Sequence, residues 1–394
     1  ITYSGQNYYR DGGGGMCNYA SSPTLTDVTI SGNMGEYGGG IENLSSSSPT
    51  LTNVTISGNT ATSRGGGMFI HDPSSTTLIN VTISGNTAGL SGGGIENLSS
   101  SSTLTNVTIS GNTASYGGGM YNNNTSSPTL TNVTISGNTA SAKGGGMYNT
   151  YSSSPTLTNV TISGNTAASN GGGIYNSSSS SPTITNSLFW GNIKGTSSTI
   201  AGADIDNSVS STATISYSLV QLASTSYTSG NNNLLTYAPS GTATGMVYAT
   251  NPSFVNASDP DGADNIWMTG DDGLVLSSTS AGIGAGTSSS APSYDITNKV
   301  RPTTPSIGAY EGKICKLSNN LPTVPATYTS SFVSADGSYT CYCDDNQNLI
   351  LALDLNSTGA VVPSSGVSLE IGATTTTSWS TAGGIITNTN GGAI

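Results

Sequence analysis

Residues Thr50–Met68 have the sequence TLTNVTISGNTATSRGGGM, a run of small polar residues with one charged side chain, Arg64. Variants of this stretch recur along the first half of the chain. A Gly-Asn step after each TIS-type segment places glycines at 32, 58, 85, 111, 137, 164 and 191, at intervals of 26 or 27 residues. A glycine run that ends in Ile or Met repeats with the same period, at Met16, Ile41, Met68, Ile95, Met120, Met147 and Ile174. Two markers with one period predict a solenoid.

The repeat unit is rich in Thr, Val, Ile and Gly, a composition that favours strands and turns over helices. We expect each unit of about 26 residues to form one coil with roughly three short strands, and coils to stack at about 4.8 Å in parallel sheets. Alternation along the unit predicts four inward side chains, Leu51, Val54, Ile56 and Met68. Asn53 and Asn59 are expected at corners, and the glycine run permits a tight turn and close approach of the next coil.

One asparagine recurs at the first corner of successive coils. The set is Asn53, Asn80, Asn106, Asn132, Asn159 and Asn186. Most members also fit the Asn-x-Thr glycosylation sequon. We favour a hydrogen-bonded ladder of stacked amides, because packing explains why the residue keeps one place in every coil.

Only 7% of the residues are charged, and the net charge is −12 with eight Lys and Arg. Scattered cations argue against nucleic-acid binding and against docking on anionic lipid. No apolar run approaches the length of a membrane span, so no membrane insertion is expected. The chain starts at Ile1 without a signal peptide, which suggests a processed product or an excerpt.

The segment Ile109–Asn122, ISGNTASYGGGMYN, resembles the repeat of polymorphic outer-membrane proteins. Seven copies cover residues 12–192, with Ile where that family has Phe; Phe189 in SLFWGN is nearest to the family pattern. The resemblance implies a right-handed parallel β-helix on secreted bacterial surface proteins, often adhesins.

A second segment begins NPSFVNASDPDGADNIWMTGDDG at Asn251, and DITNKVRPTTPSIGAYE follows at Asp295. It resembles the terminal coils of choice-of-anchor bacterial surface proteins, which implies that the β-helix ends near Glu311. We therefore expect an all-β chain: a regular repeat β-helix at 1–192, irregular terminal coils at 193–312, and a small β-sandwich-like domain at 313–394.

The residue after each glycine-run Ile or Met is expected to point outward. In order these residues are Cys17, Glu42, Phe69, Glu96, Tyr121, Tyr148 and Tyr175. Two coils separate Glu42 from Glu96, roughly 9–10 Å at the coil spacing and near the range for an inverting glycosidase pair. His71 lies nearby in sequence. Duplication of a surface Glu explains the pair equally, and no third group supports it, so we predict no enzyme activity.

The aromatic members of this row, Phe69, Tyr121, Tyr148 and Tyr175, are candidates for a ligand or partner surface, with glycans or another cell surface as partner. A self-packing ladder of rings is the alternative. Outward Thr-x-Thr pairs resemble the face of ice-binding solenoids: Thr24/Thr26, Thr50/Thr52, Thr103/Thr105, Thr129/Thr131, Thr156/Thr158 and Thr183/Thr185, with Thr77/Ile79 breaking the pattern. The preference of Thr for exposed strands explains them as well.

An acidic loop contains Asp259, Asp261, Asp264, Asp271 and Asp272. Carboxylates at short odd spacings are typical of calcium loops, although no Glu closes an EF-hand pattern. Calcium is the one cofactor that the sequence suggests, and a solvated Asp-Gly turn is the alternative.

Four cysteines are candidates for disulfide bonds, Cys17, Cys315, Cys341 and Cys343. Cys341 and Cys343 lie two apart on one predicted strand and are poorly placed to pair with each other. One is expected to pair with Cys315, and the other with Cys17 of a neighbouring subunit.

These features predict a secreted bacterial surface protein with a structural or adhesive role. An open parallel edge at the first coil predicts self-association, head to tail, into a filament or surface array. A polysaccharide-binding or polysaccharide-degrading protein and an ice-binding protein are the alternatives.

Overall fold

The computed structural model describes residues 12–208, 210–221, 245–277 and 280–312, together with five strands at 235–237, 340–343, 349–352, 379–382 and 385–388. The chain divides into two compact units, Ile1–Gly312 and Lys313–Ile394. None of the described residues belongs to a helix that could span a membrane.

The described part of the chain contains 33 strands. In chain order they are β1 Met16–Tyr19, β2 Thr24–Thr26, β3 Thr29–Ser31, β4 Met34–Tyr37, β5 Ile41–Leu44, β6 Thr50–Thr52, β7 Thr55–Ser57, β8 Thr60–Arg64, β9 Met68–Ile70, β10 Thr77–Ser84, β11 Thr87–Ala88, β12 Ile95–Leu98, β13 Thr103–Ser110, β14 Thr113–Tyr116, β15 Met120–Asn123, β16 Thr129–Ser136, β17 Thr139–Lys143, β18 Met147–Thr150, β19 Thr156–Ser163, β20 Thr166–Ala167, β21 Ile174–Asn176, β22 Thr183–Thr185, β23 Leu188–Trp190, β24 Ile193–Lys194, β25 Ile205–Asn207, β26 Ala213–Ser216, β27 Leu219–Val220, β28 Leu235–Tyr237, β29 Val247–Tyr248, β30 Thr340–Cys343, β31 Leu349–Ala352, β32 Trp379–Ala382 and β33 Ile385–Asn388.

Strands β1–β29 form three parallel sheets that run the length of a solenoid. Sheet 1 has 14 strands and contains the TLT and TIS segments, from β2 and β3 to β28 and β29. Sheet 2 has seven strands, from β4 to β24, and sheet 3 has eight, from β1 to β25. Each strand pairs with its equivalents in the neighbouring coils, as Leu51 does with Leu25 and Leu78. The predicted parallel β-helix with coils of about 26 residues is confirmed.

The core is one continuous column of apolar side chains inside the coils. Leu51, Val54, Ile56 and Met68 are all at most 1% exposed, as the alternation in their coil predicted. Each coil therefore buries only a few side chains, and backbone hydrogen bonds to the coils on either side stabilise the rest of it.

The glycine run closes each coil at the turn between sheet 2 and sheet 3. Gly65 adopts the left-handed conformation, with φ of 65°. At Gly66 a Cβ atom would lie 2.4 Å from the carbonyl oxygen of Gly93 in the next coil. Glycine is thus favoured at the first position of the run by the backbone conformation and at the second position by the close contact with the next coil.

Stacked asparagines form three ladders. The corner ladder is the set expected from the sequence, and all of its members have φ of 51–55°. Asn80, for example, donates to Asn53 Oδ1 at 3.2 Å. A second, inner ladder is fully buried from its second member onward and consists of Asn33, Asn59, Asn86, Asn112, Asn138, Asn165 and Asn192. The third ladder follows sheet 3 and consists of Asn18, Asn43, Asn97, Asn122, Asn149, Asn176 and Asn207.

Ile70 interrupts the sheet 3 ladder, because it occupies the position between Asn43 and Asn97. Asn43 turns its amide to Thr76 Oγ1 at 3.0 Å instead. The buried Oδ1 of Asn97 has no hydrogen-bond partner in the described part of the chain.

Residues 251–312 do not continue the coils that were expected up to residue 312. The last parallel pairing is between β27 and β29, which ends at Tyr248. The segment 251–312, here called the clasp, then lies along the outer face of sheet 1. Thr161 Oγ1 accepts a hydrogen bond from Ala309 N at 2.9 Å, and Asn186 Nδ2 donates to Thr287 O at 2.8 Å.

Arg301 anchors the clasp by interrupting the corner ladder. Its guanidinium donates to Asn132 Oδ1 at 3.1 Å and to Glu311 Oε2 at 2.9 Å. Asn159 donates to Ser306 O and Gly308 O of the clasp, both at 3.2 Å, instead of to Asn132. Outward Leu188 and Leu219, which replace the usual Thr, pack against Leu276 and Ile307.

The second unit is described only at β30–β33, which form one antiparallel sheet in the order β30-β31-β33-β32. The sheet is antiparallel, as in a β-sandwich, and the rest of the prediction for 313–394 falls on residues outside the described ones. Cys341 and Cys343 belong to β30, where they are paired in register with Leu351 and Leu349.

Candidate functional site

Two rows of outward side chains converge across the glycine turn and form what we call the corner groove. One row comes from the ends of sheet 2 strands and from the isolated bridges that continue them: Tyr37, Arg64, Ser91, Tyr116, Lys143 and Asn170. The other comes from the second position of the sheet 3 strands: Glu42, Phe69, Glu96, Tyr121, Tyr148, Tyr175 and Asp206. Most members of the first row contact the second-row residue of the following coil.

This convergence buries residues that were expected on the open surface. Glu42 is 2% exposed and Phe69 is 3% exposed. Glu42 Oε1 lies 3.0 Å from His71 Nε2, and His71 Nδ1 lies 3.1 Å from Asp72 Oδ2. Glu42 Oε2 accepts from the Cys17 thiol at 3.8 Å.

Glu96 is fully buried two coils away from Glu42. Arg64 Nη1 lies 3.4 Å from its Oε1, and Ser91 Oγ donates to its Oε2 at 2.5 Å. Burial raises the pKa of Glu96 to about 7, although the Ser91 hydrogen bond and the charges of Arg64 and His71 oppose that rise.

The two carboxylates therefore do not form the exposed pair that a glycosidase site needs. Each has its own partners, and the ring of Phe69 occupies the register position between them. Phe69 stacks on Tyr37 at a centroid distance of 5.6 Å and on His71 at 4.3 Å. Phe69 is thus buried beside two stacked rings and does not present the open surface that was expected of it.

The three tyrosines form the expected column of rings. Centroid distances are 5.1 Å between Tyr121 and Tyr148 and 5.0 Å between Tyr148 and Tyr175, with tilted rings. Tyr175 is 8% exposed, so its ring belongs mainly to the packing, whereas Tyr121 and Tyr148 are half-buried. Burial raises the pKa of Tyr121 and of Tyr175 above the ordinary tyrosine value.

The corner groove opens at the far end of the tyrosine column. A recess of about 470 Å³ is lined there by Lys143, Tyr148, Tyr175, Ser177, Ser178, Ser208 and Ser210. Lys143 Nζ lies 5.3 Å from the centroid of the Tyr175 ring. Arg64 and Lys194, the neighbouring cations of the groove, pair instead with Glu96 and Asp206. We call this part of the groove the tyrosine recess.

The carboxylates of the acidic loop accept hydrogen bonds from other groups of the clasp. Asp264 Oδ1 accepts from Ile266 N at 2.8 Å, and Asp271 Oδ1 accepts from Thr269 Oγ1 at 2.6 Å. Asp272 is buried and accepts from Tyr310 OH at 2.7 Å. Among the residues that the structure describes, no three acidic, histidine or cysteine side chains converge on a metal position. Asp259 and Asp261 belong to the same loop, and calcium binding there stays a prediction.

Cys17 is an exposed free cysteine in the first described coil. Partial burial, the charge of Glu42 and the hydrogen bond to it raise the pKa of the thiol to about 11. Because the thiolate is the species that exchanges with disulfides, this environment disfavours the predicted intermolecular bond. Cys315 lies outside the described residues, and the pairing of Cys315 with Cys341 or Cys343 stays a prediction.

The outward Thr-x-Thr pairs lie in register along sheet 1, for example Thr103 and Thr105 opposite Thr129 and Thr131. Ile79 replaces a threonine within the array, opposite Thr52 and Thr105. The rows are exposed or half-buried, as expected for outward strand positions.

The sequence did not indicate the opposing row of the corner groove. Its members are Tyr, Arg, Ser, Lys and Asn, and they end loops of unequal length, so no residue type repeats. Their constant position one residue before each glycine run is the signal that could have identified them. The inner asparagine ladder had a clearer signal, the Asn of every Gly-Asn step.

The model of the right-handed β-helix region matches residues 14–189 and 94–256, two overlapping ranges that together span more than half of the chain. No curated protein and no solved structure matches the chain significantly. The matched ranges cover the stacked coils of the three parallel sheets and end at residue 256, near the start of the clasp. The chain belongs to the right-handed β-helix family.

Proposed function

We propose that this β-helix is a secreted bacterial surface protein with a structural and adhesive role. One observation carries the proposal. The outward carboxylates and most rings of the corner groove contact other side chains of the protein, and the tyrosine recess is the part of the groove that is open to a partner. Buried and paired Glu42 and Glu96 suit a scaffold better than a hydrolytic site. The resemblance to polymorphic outer-membrane protein repeats and to choice-of-anchor terminal coils supports an extracellular location.

The tyrosine recess is the contact surface in this proposal. Tyr148 offers a half-buried ring, four serines offer hydroxyl groups, and Lys143 offers a cation that contacts a ring. Aromatic rings with polar edges are enriched where proteins contact partners. We expect the partner to be a component of another cell surface.

Beads coated with the full chain provide a test. Beads should be retained on layers of cultured cells, and Tyr148→Ala should reduce retention because a half-buried ring that lines the recess is lost. Tyr19→Ala is the matched control, since Tyr19 is an exposed tyrosine of sheet 3 outside the recess. Equal retention of Tyr148→Ala and unaltered beads would contradict the proposed contact surface, and recovery of the protein only from the cytoplasmic fraction of its host would contradict the location.

Self-association belongs to the same proposal. Parallel coils can add head to tail without closing, which gives filaments or surface arrays. Electron micrographs of the purified chain should then show elongated assemblies. Monodisperse single particles at every concentration would remove this part of the proposal and leave the adhesive part standing.

A further inference from the structure

Three side chains of complementary chemistry meet in the corner groove where the regular repeats end. They are Asn170, Lys194 and Asp206. Asn170 Nδ2 donates to Asp206 Oδ2 at 2.9 Å, and Lys194 Nζ donates to the same oxygen at 2.8 Å. One carboxylate oxygen thus holds the amine and the carboxamide within two hydrogen-bond lengths of each other. We call these residues the Lys-Asp-Asn cluster.

Strand pairing places the amine and the carboxamide on neighbouring coils. Lys194 ends β24, which pairs in parallel with β20 of the preceding coil. Asn170 lies in that preceding coil, shortly after β20, and forms a backbone bridge to the coil before it. Asp206 is the middle residue of β25, in register with Tyr175. The cluster is therefore held by the ladders of sheet 2 and sheet 3.

The cluster is largely enclosed. The side chain of Asp206 is 6% exposed and that of Lys194 is 23% exposed. Gly202 lies over both, because a Cβ built there would lie 2.8 Å from Asp206 Cγ and 2.9 Å from Lys194 Nζ. Lys194 Nζ also donates to Ala201 O at 3.2 Å. Enclosure favours the neutral forms of an amine and a carboxylic acid, and the neutral amine is the nucleophilic form of lysine.

An equivalent arrangement in an earlier coil lacks the reactive groups. There Glu96 accepts from Ser91 Oγ and pairs with Arg64. Ser91 and Asn170 belong to the same row of the corner groove, and Glu96 and Asp206 both belong to the other row. A guanidinium stays protonated and serine has no carboxamide, so the earlier arrangement is an ion pair only. The Lys-Asp-Asn cluster instead combines a nucleophile with an acyl carbon.

We propose that Lys194 and Asn170 condense into an isopeptide bond, with Asp206 as the proton carrier. The Lys194 ammonium gives one proton to Asp206, and the neutral Nζ attacks Cγ of Asn170. The Nζ–Cγ bond forms and the Cγ–Nδ2 bond breaks. The departing nitrogen takes the proton held by Asp206 and a second proton from Nζ, and it leaves as ammonium. Asp206 ends ionised, as it began, and no oxidant or further reactant is consumed.

The bond ties two neighbouring coils together at the end of the regular repeats. It closes a loop between residues 170 and 194, and a cross-link of this kind stabilises a fold as a disulfide does, by restricting the unfolded chain. It requires neither a partner nor the tyrosine recess. Its test is therefore independent of the adhesive function proposed above.

Intact-mass spectrometry of the full chain tests the bond. The unaltered protein should be lighter than the mass calculated from its sequence by about 17 Da, the mass of one ammonia. Chymotrypsin cuts after Tyr175 and after Trp190, which lie between the two joined residues, so the fragments that contain Asn170 and Lys194 should stay linked. An unreduced mass, or separation of these two fragments, overturns the proposal.

Variants separate this bond from the competing reaction of the same asparagine. Asn170 precedes Gly171, and attack of the Gly171 nitrogen on Asn170 Cγ gives a succinimide with the same loss of mass. Lys194→Arg keeps a cation beside Asp206 without the amine, so this variant should have the full mass of its own sequence. Lys299→Arg is the matched control, because Lys299 lies in the clasp outside the cluster, and it should keep the reduced mass. A reduced mass in Lys194→Arg, or a full mass in Lys299→Arg, overturns the assignment.

Asp206→Asn tests the proton carrier, since the amide keeps the shape of the side chain and does not exchange protons in this way. The rate at which freshly purified chain loses ammonia should fall at least about 100-fold, the lower range for general acid–base catalysis. Thermal unfolding of each variant verifies that it is folded. An unchanged rate in folded Asp206→Asn would remove Asp206 from the reaction and overturn the proposed mechanism.

Discussion

At the scale of single residues, the inner asparagines are more constrained than the corner asparagines. Asn112 Oδ1 accepts from both the backbone N and Nδ2 of Asn86, and its Nδ2 donates to Ile83 O and Asn138 Oδ1. Every one of these groups is buried. Asn106 makes only the two ladder bonds, to Asn80 and from Asn132, and is half-exposed.

Removal of the two side chains should therefore differ in effect. We expect Asn112→Ala to lower the free energy of unfolding by more than about 3 kcal/mol, because each buried group left without a partner costs roughly 1–3 kcal/mol. Asn106→Gly keeps the left-handed backbone accessible and should cost about 1 kcal/mol or less. Urea unfolding of both variants measures the difference, and similar losses would contradict the distinction between the ladders.

The raised pKa of Glu96 predicts a stability that depends on pH. The carboxyl group titrates at about 7 in the folded chain, against an ordinary value of 4.5. The folded state thus holds this proton more tightly, so the contribution of Glu96 to stability is fully present below pH 4.5 and is lost as the pH rises through its folded pKa of about 7, a change of up to roughly 3 kcal/mol.

Glu96→Gln isolates this effect, since the amide keeps the shape of the side chain and cannot ionise. Unfolding free energies at pH 5 and pH 8 should differ less in the variant than in the unaltered chain. Burial raises the pKa of Asp204 to about 6 in the same direction, so part of the pH dependence should persist. An undiminished difference in Glu96→Gln would show that Glu96 ionises without penalty.

At the scale of elements, the glycines at different positions of the repeat have different reasons to be glycine. At Gly118 a Cβ would lie 2.5 Å from Thr139 O and 2.6 Å from Gly145 O in the next coil. At Gly137 the constraint is φ of 62°, and the nearest atom to a Cβ is 4.0 Å away. The first position excludes any side chain, and the second excludes those that resist the left-handed conformation.

We expect Gly118→Ala to separate neighbouring coils and to lower the melting temperature by more than 10 °C, or to prevent folding, because two backbone contacts must give way. Gly137→Asn should fold with a nearly unchanged melting temperature, since Asn tolerates the left-handed region. Thermal unfolding followed by circular dichroism compares the two. An unchanged melting temperature for Gly118→Ala would mean that neighbouring coils can move apart and stay paired.

The repeat pattern could predict the strands of the solenoid because inward residues keep their identity in every coil. Leu51, Val54, Ile56 and Met68 occupy the positions that alternation assigned to them. The same pattern could not predict the burial of Glu42 and Glu96, because that depends on side chains across the glycine turn. Those partners vary in type from coil to coil, so a single coil's sequence contains no sign of them.

At the scale of the whole molecule, Arg301 joins the clasp to the solenoid. Both Arg301 and Glu311 are almost completely buried, and the same guanidinium bonds to Asn132 of sheet 1. Removing one member of a buried ion pair costs roughly 3–5 kcal/mol. Because the contacts lie in one small region, their loss should release the clasp before the coils unfold.

We therefore expect Arg301→Met to make residues 251–312 susceptible to limited proteolysis while a fragment that contains the coils stays protected. Lys299→Met is the matched control, because it removes a cation two residues earlier whose side chain has no ion pair with Glu311. Mass spectrometry of the fragments locates the cuts. Cleavage of both variants at equal rates, or loss of the coils together with the clasp, would refute the view that the clasp opens independently.

The sequence repeat could not predict the clasp, because residues 251–312 contain no repeat and pack through individual contacts. One sign was present in the coils themselves. The outward row that has Thr161 changes to Leu188 and Leu219, and apolar residues at outward positions indicate that something covers them.

The asparagine ladders also have a polarity. In the inner ladder each amide donates toward the later coil, as Asn165 does to Asn192, whereas in the corner ladder Asn80 donates toward the earlier coil, to Asn53. Aligned amide dipoles add, as they do in a helix, and leave partial positive charge at the donor end. Asn192 donates to the carboxylate of Asp204, and Asn53 donates to that of Asp27. An anion thus terminates the positive end of both stacks, so a solenoid lengthened or shortened by whole coils would need these two acids moved with its ends.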